Sequence, residues 1–151
     1  MAQALVIDDE AQILLAVQRC LEGAGITVVT APSAADGLTA AAAIRPDLIV
    51  LDLGLPDLDG LDVITRLRSW TQAPIIVLSG AGDERSKVAA LGAGADDYVT
   101  KPFSLAELRA RAEATLRRAG AGNTPSPVRR FEGIEVDLDD LQVAATARSC
   151  A

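Results

Sequence analysis

Three short apolar runs and one short mixed segment in this chain each end on a residue able to do chemistry. Leu5-Val-Ile7 runs into Asp8 and Asp9, Leu48-Ile-Val-Leu51 into Asp52, Ile75-Ile-Val-Leu78 into Ser79, and Asp97-Tyr-Val-Thr100 into Lys101. Three carboxylates brought together repel one another, so either one of them binds a proton or a hard cation neutralises the group. Mg²⁺ suits such a set, because it takes a few carboxylate and carbonyl oxygens and keeps several waters. Beside it Asp52 can act as a nucleophile towards a phosphoryl group, with Lys101 as a compact cation and the Ser79 hydroxyl as a donor to a phosphate oxygen. Singly, each residue has a plainer reading: a carboxylate or hydroxyl after a strand often caps the next helix, and a lone lysine is usually solvated. The chemical reading rests on the whole set.

That set works only if the elements gather it. Short β-branched runs alternate with longer periodic segments, the pattern of βα units around a parallel sheet covered on both faces. Strands are expected near Ala4–Asp8, Ile26–Thr30, Leu48–Asp52, Ile75–Ser79 and Asp97–Thr100. Helices are expected over Ala11–Glu22, Ser33–Ala43, Gly60–Trp70, Asp83–Leu91 and Ser104–Arg118. Ile13, Val17 and Leu21 recur at helical spacing. Ser33 and Ser104 are predicted N-caps, with Asp36 and Glu107 completing capping boxes, and Gly23 and Gly92 are predicted stops. In a doubly wound sheet, ligands bind beyond the carboxyl ends of the strands, where all five residues fall.

Composition narrows the chemistry further. The 151 residues are 50% apolar, enough to bury a core, and contain no histidine, which excludes Ser-His-Asp and Cys-His hydrolases and His-ligated zinc. Fourteen Lys and Arg against 21 Asp and Glu give a formal charge of −7, which favours divalent cations over a nucleic-acid backbone. Cys20 and Cys150 form no CxxC motif, so neither a disulfide scaffold nor a thiolate site is indicated and a reducing cytoplasm is expected. The opening residues lack a basic region before a long apolar stretch, so no signal peptide is expected, and no apolar run is long enough for membrane insertion.

After Arg118 the composition changes. Residues 119–130, with Ala-Gly-Ala-Gly-Asn-Thr-Pro-Ser-Pro at their start, read as a linker, and 131–151 alternate like two or three antiparallel strands with a turn at Asp139-Asp140. Some twenty residues cannot bury a core alone, so the tail is expected to open a second domain.

Asp8-Asp9-Glu10, Asp47 to Gly60, Pro74 to Ser79 and Gly94 to Phe103 together resemble the receiver domain of bacterial two-component response regulators, over residues 3 to about 118. Gly94 to Phe103 followed by Glu107-Leu-Arg-Ala-Arg111 is similar to the OmpR/PhoB subfamily. The Leu53-Gly-Leu-Pro56 loop, Leu67-Arg-Ser-Trp70 and the Pro74 to Ser79 strand are most similar to its regulators of potassium-uptake genes. The resemblance implies a flavodoxin-like (CheY-like) doubly wound α/β fold of five parallel strands, (βα)5. It implies Asp52 as phosphoacceptor from a partner sensor histidine kinase, with Asp9, Asp52 and the Gly54 carbonyl as Mg²⁺ ligands and Asp8 acting through water. Lys101 would pair with the phosphoryl group, Ser79 would reorient towards it, and Tyr98 would change rotamer; Tyr98 reads equally as a half-buried ring on an edge strand. Lys101-Pro102 would be a cis peptide. Activation would make a homodimer through the helix 4, strand 5 and helix 5 face. Lys87 with Glu107 and Asp97 with Arg111 would be the intersubunit ion pairs, although Glu107 and Arg111 are also an i, i+4 pair on one helix. The tail resembles the first strands of a winged-helix DNA-binding domain whose recognition helix is absent from this sequence, so DNA binding would belong to a longer chain.

Other readings fare less well. Asp8-Asp9-Glu10 would repel the phosphate of a flavin, and the Gly80-x-Gly82 and Gly92-x-Gly94 pairs lack the third glycine of a dinucleotide fingerprint. An aspartyl-phosphate phosphohydrolase would resemble its relatives in placing a second Asp two residues after the nucleophile, where Gly54 stands. A phosphorylation-independent dimerisation module stays open. The Gly80-Ala-Gly82 loop is expected to be mobile, and Gly92 departs from the acidic residue common there.

Overall fold

The sheet is built from strands of four or five residues, and its middle strands are apolar on both faces. The computed structural model describes residues 2–80 and 82–123. Its elements run β1 (Gln3–Ile7), α1 (Ala11–Gly23), β2 (Thr27–Ala31), α2 (Ala34–Ile44), β3 (Leu48–Asp52), α3 (Gly60–Arg68), β4 (Ile75–Ser79), α4 (Glu84–Ala93), β5 (Asp97–Thr100) and α5 (Leu105–Asn123). All pairings are parallel, in the order β2-β1-β3-β4-β5. This is the doubly wound, CheY-like α/β fold, and its order reverses between β1 and β3, where such folds open their crevice.

Every residue of β3 and β4 is buried, as continuous Leu, Ile and Val runs require when helices cover both faces. Alternation along the strands sorts them into two cores. Leu5, Ile7, Ile49, Leu51, Ile75 and Val77 face one side with Val63, Ile64 and Leu67 of α3; Val6, Val50, Ile76 and Leu78 face the other with Val17 and Leu21 of α1 and Leu108 and Ala112 of α5. α4 is the exception, since Ala90 is its one buried residue and Val88 and Leu91 stand exposed.

Most element ends lie within one or two residues of the sequence expectation, and α5 ends five residues later than expected. α1 ends on Gly23 as expected, whereas α4 passes Gly92 to end at Ala93; the glycines with positive φ are Gly25 (84°) and Gly94 (126°). Each turn is closed by an amide reaching back five residues, Ile26 N to Leu21 O at 3.1 Å and Ala95 N to Ala90 O at 3.1 Å. In α4 the positive-φ glycine, not the first glycine, sets the stop. Ser33 and Ser104 do cap their helices, accepting from Asp36 N at 3.1 Å and Glu107 N at 2.9 Å. The compact unit spans Met1–Ala119 while α5 continues to Asn123, so residues 119–123, assigned by sequence to the linker, are helical. Gly120 and Gly122 each cost a helix about 1 kcal/mol relative to Ala, but no proline intervenes before Pro125. The rest of the expected linker, the expected strands of 131–151 and Ala81 of the loop expected to be mobile lie outside the described residues.

Arg45, after α2, adopts φ 49° and ψ 68°, a left-handed conformation that costs a side-chain-bearing residue about 1–2 kcal/mol. Glycine removes that strain but adds about 0.5–1 kcal/mol of unfolded-chain entropy. Arg45→Gly is therefore expected to raise stability by about 0.5 kcal/mol, roughly 2 °C in melting temperature, read by calorimetry; a lower midpoint would contradict the strain argument.

Candidate acidic metal site

Asp8 lies one residue past β1, Asp52 ends β3, Ser79 ends β4 and Lys101 follows β5, so the parallel register brings all four to one rim of the sheet. Asp8 and Asp9 diverge sharply despite being neighbours: Asp8 is fully buried and Asp9 is exposed. Asp8, Asp9 and Asp52 nonetheless each offer a carboxylate oxygen, and the three atoms lie within 4.8 Å of one another. This all-oxygen, anionic donor set fits a hard divalent cation.

Backbone groups fix the carboxylates. Asp8 accepts from the Glu10 amide at 2.9 Å and its own amide donates to Ala31 O at 3.1 Å. Asp52 accepts from the Gly54 amide at 3.0 Å, and the Leu53 amide donates to Leu78 O at 3.0 Å. Lys101 Nζ sits 3.2 Å from Asp8 and 3.4 Å from Asp52, its backbone amide held by Ser79 O at 2.7 Å. Lys101-Pro102 is cis, as the resemblance implied.

Burial raises the Asp8 pKa; the Glu10 amide opposes this, Asp52 adds to it and Lys101 opposes it. Burial works against the Lys101 ammonium, but the Asp52 and Asp8 carboxylates together hold its pKa above the ordinary lysine value. Two buried acids share one cation, which leaves the pocket short of positive charge.

Ser79 is buried at the rim, 5% exposed. Tyr98, read in sequence either as a switch that changes rotamer or as a half-buried ring on an edge strand, is 8% exposed and packs in the core on the α3 side of the sheet, more deeply buried than the second reading expected. The four residues expected at a dimer face behave differently within one chain. Arg111 grips Asp97 through both carboxylate oxygens at 3.0 and 3.1 Å and also reaches Glu107 at 3.1 Å, so here Asp97 and Arg111 pair within the chain. Lys87 on α4 is exposed and takes part in no ion pair among the described residues.

Two polar contacts had no sequence signal. Arg68 at the end of α3 donates to Gly94 O at 3.0 Å, Thr71 O at 3.2 Å and Ala73 O at 2.7 Å, and pairs with Asp96 at 2.8 Å. It thereby ties α3 to the turns before β4 and β5. Asp57 accepts from Ala34 N at 3.1 Å and Ala35 N at 3.0 Å, joining the β3–α3 loop to the start of α2. The Arg68 contacts with Gly94 and Asp96 and the Asp57 contacts with α2 each span more than twenty residues, beyond any local pattern.

Residues 4–113 match the sequence model of the response regulator receiver domain. The chain is 47% identical over 138 residues to the KDP operon transcriptional regulatory protein KdpE of Escherichia coli, covering 91% of this chain and 61% of that protein. It is 50% identical over 144 residues to the transcriptional regulatory protein KdpE of Mycobacterium tuberculosis, covering 95% and 64%. The chain thus spans about three fifths of the length of these relatives. Among solved structures, the receiver domain of Francisella response regulator 1452 superposes with a TM-score of 0.75 at 33% identity, over 78% of this chain and 98% of that one. No described helix is long and apolar enough to cross a membrane.

Proposed function

From the premise that the chain belongs to the response regulator receiver family, we propose that its acidic pocket takes a phosphoryl group onto Asp52 from a partner histidine kinase. The observation that carries this is the pairing of two buried carboxylates, Asp8 and Asp52, with one ammonium, Lys101, beside the exposed carboxylate of Asp9. These 151 residues contain no histidine, so the donor imidazole lies outside them.

An Asp52 oxygen forms the new O–P bond as the donor N–P bond breaks, and the electron pair stays on the imidazole nitrogen. Lys101 is within reach to draw off charge from the phosphoryl oxygens, and the Ser79 hydroxyl donates to one of them. Asp9, Asp52 and the Gly54 carbonyl would hold Mg²⁺ with Asp8 through water, supplying the positive charge that the pocket lacks. The same pocket performs its own phosphorylation and slow dephosphorylation and acts on no further substrate, because Gly54 offers no general acid.

The output is a homodimer through α4, β5 and α5. Val88 and Leu91 are 58% and 38% exposed on a helix with a single buried residue, which supports an apolar face awaiting a partner. Since Arg111 already holds Asp97, an intersubunit Asp97–Arg111 pair, with Lys87–Glu107 beside it, would exchange partners and set geometry more than affinity. In a longer cytoplasmic protein carrying a winged-helix portion, this switch would govern DNA binding, and the KdpE relatives point to potassium-uptake genes.

Incubation with acetyl phosphate and Mg²⁺, followed by peptide mapping by mass spectrometry, is expected to give a single acid-stable, base-labile phosphate on Asp52. Label on any other residue would overturn the assignment.

A further inference from the structure

Asp57 lies outside the carboxylate cluster, exposed, five residues after Asp52, and its carboxylate closes a ring of bonds around the mouth of the pocket. Starting from Asp8, the amide donates to Ala31 O at 3.1 Å at the end of β2. Three residues on, the amides of Ala34 and Ala35 open α2 and donate to Asp57 Oδ1 and Oδ2 at 3.1 and 3.0 Å. The chain then leads back from Asp57 through Leu55, 7% exposed, to Gly54, whose amide donates to Asp52 Oδ1 at 3.0 Å.

α2 does not depend on Asp57 alone for capping. Ser33 Oγ already accepts from Asp36 N at 3.1 Å, so Asp57 takes the two amides that Ser33 leaves. The amides of Ala35 and Ala34 hold the Asp57 carboxyl below its ordinary pKa, as expected for a carboxylate on a helix N-terminus.

We infer that Asp57 is a positioning residue for the cation site: by anchoring the β3–α3 loop to α2, it fixes the Gly54 carbonyl relative to Asp8, Asp9 and Asp52. This rests on the reading of Gly54 as a ligand. A loop cut free of α2 leaves the three carboxylates in place but lets the fourth oxygen wander, and loss of such outer support lowers metal affinity about 10-fold or more.

Ser33→Ala is the matched control, since it removes a cap from the same helix end without touching the loop. Titration calorimetry with Mg²⁺ alone is expected to show Asp57→Ala weakened about tenfold and Ser33→Ala within about twofold of the parent, with similar melting temperatures for the two variants. Amide exchange of the metal-free protein is expected to quicken at Gly54, Leu55 and Leu58 in Asp57→Ala only. If Asp57→Ala does not fold, Asp57→Asn, which keeps one acceptor oxygen, should show the same pattern with a two- to threefold loss. Equal Mg²⁺ affinities for the two alanine variants, or unchanged exchange in the loop, would overturn the inference. A parent protein that binds no Mg²⁺ while its loop exchange still responds to Asp57→Ala would instead defeat the reading of the pocket, and with it the positioning role.

Discussion

Replacing Asp52 by asparagine is expected to abolish phosphorylation, with the rate from acetyl phosphate falling by about 10³-fold or more, because the amide oxygen is too weak a nucleophile to form the O–P bond. The fold should survive. Asparagine keeps the oxygen that accepts from the Gly54 amide, and it removes one of the two negative charges beside Lys101, so the loss cannot be attributed to unfolding. Light scattering should show the parent protein shifting from monomer towards dimer on treatment with beryllofluoride and Mg²⁺, while Asp52→Asn stays monomeric. Retained phosphorylation in this variant would move the acceptor elsewhere. A parent that is phosphorylated on Asp52 yet unchanged in mass would sink the dimer switch and leave the chemistry standing.

Asp8→Asn is expected to act in opposite directions on binding and on stability. Asp8 is fully buried with its pKa raised chiefly by that burial, so the fold prefers the protonated acid. The stability tied to that preference is fully present below the unfolded value of 3.8 and is lost as pH rises through the higher folded value. At neutral pH the ionised group therefore opposes folding, although Lys101 at 3.2 Å offsets part of the penalty. Asparagine stays neutral and keeps the oxygen that accepts from the Glu10 amide at 2.9 Å. We expect a gain of about 1 kcal/mol at pH 7, some 3–5 °C in melting temperature, shrinking to nothing near pH 4. Mg²⁺ affinity should fall about 10-fold or more, since one of three anionic groups is gone. Calorimetric melts from pH 4 to 8 check the first part and a Mg²⁺ titration the second. A variant less stable than the parent at pH 7 would mean that the Lys101 contact outweighs the burial of Asp8.

The opposed effects have one physical cause. A pocket poised for a divalent cation gathers more negative charge than its single lysine balances, and metal-free protein carries that repulsion as lost stability. Sites of this kind depart from the most stable sequence because binding requires it.

Much of this was legible in the residues. The five strands follow from short continuous apolar runs and the five helices from the periodic segments between them, and the two serine caps from the spacing of Ser33 and Ser104 to their helices. The end of α4 was less legible, because Gly92 and Gly94 look alike until φ is known. Local alternatives were also undecidable. Arg111 is four residues from Glu107 and fourteen from Asp97, and sequence favours the nearer partner, whereas the fold gives it both.

By itself, then, the sequence determined that carboxylates, a hydroxyl and a lysine stand at the ends of successive strands, since strand ends are set by local patterning within a few residues. Tertiary structure decided what those positions mean. The order β2-β1-β3-β4-β5 set Asp8 and Asp52 on adjacent strands flanking the point where the sheet reverses. It buried Asp8 and exposed Asp9, though the two are chemically identical neighbours whose carboxylates both reach the cluster. It also aimed Asp57 at α2 and Arg68 at the turn before β5. Such contacts depend on how distant segments pack, and no period in the chain encodes them.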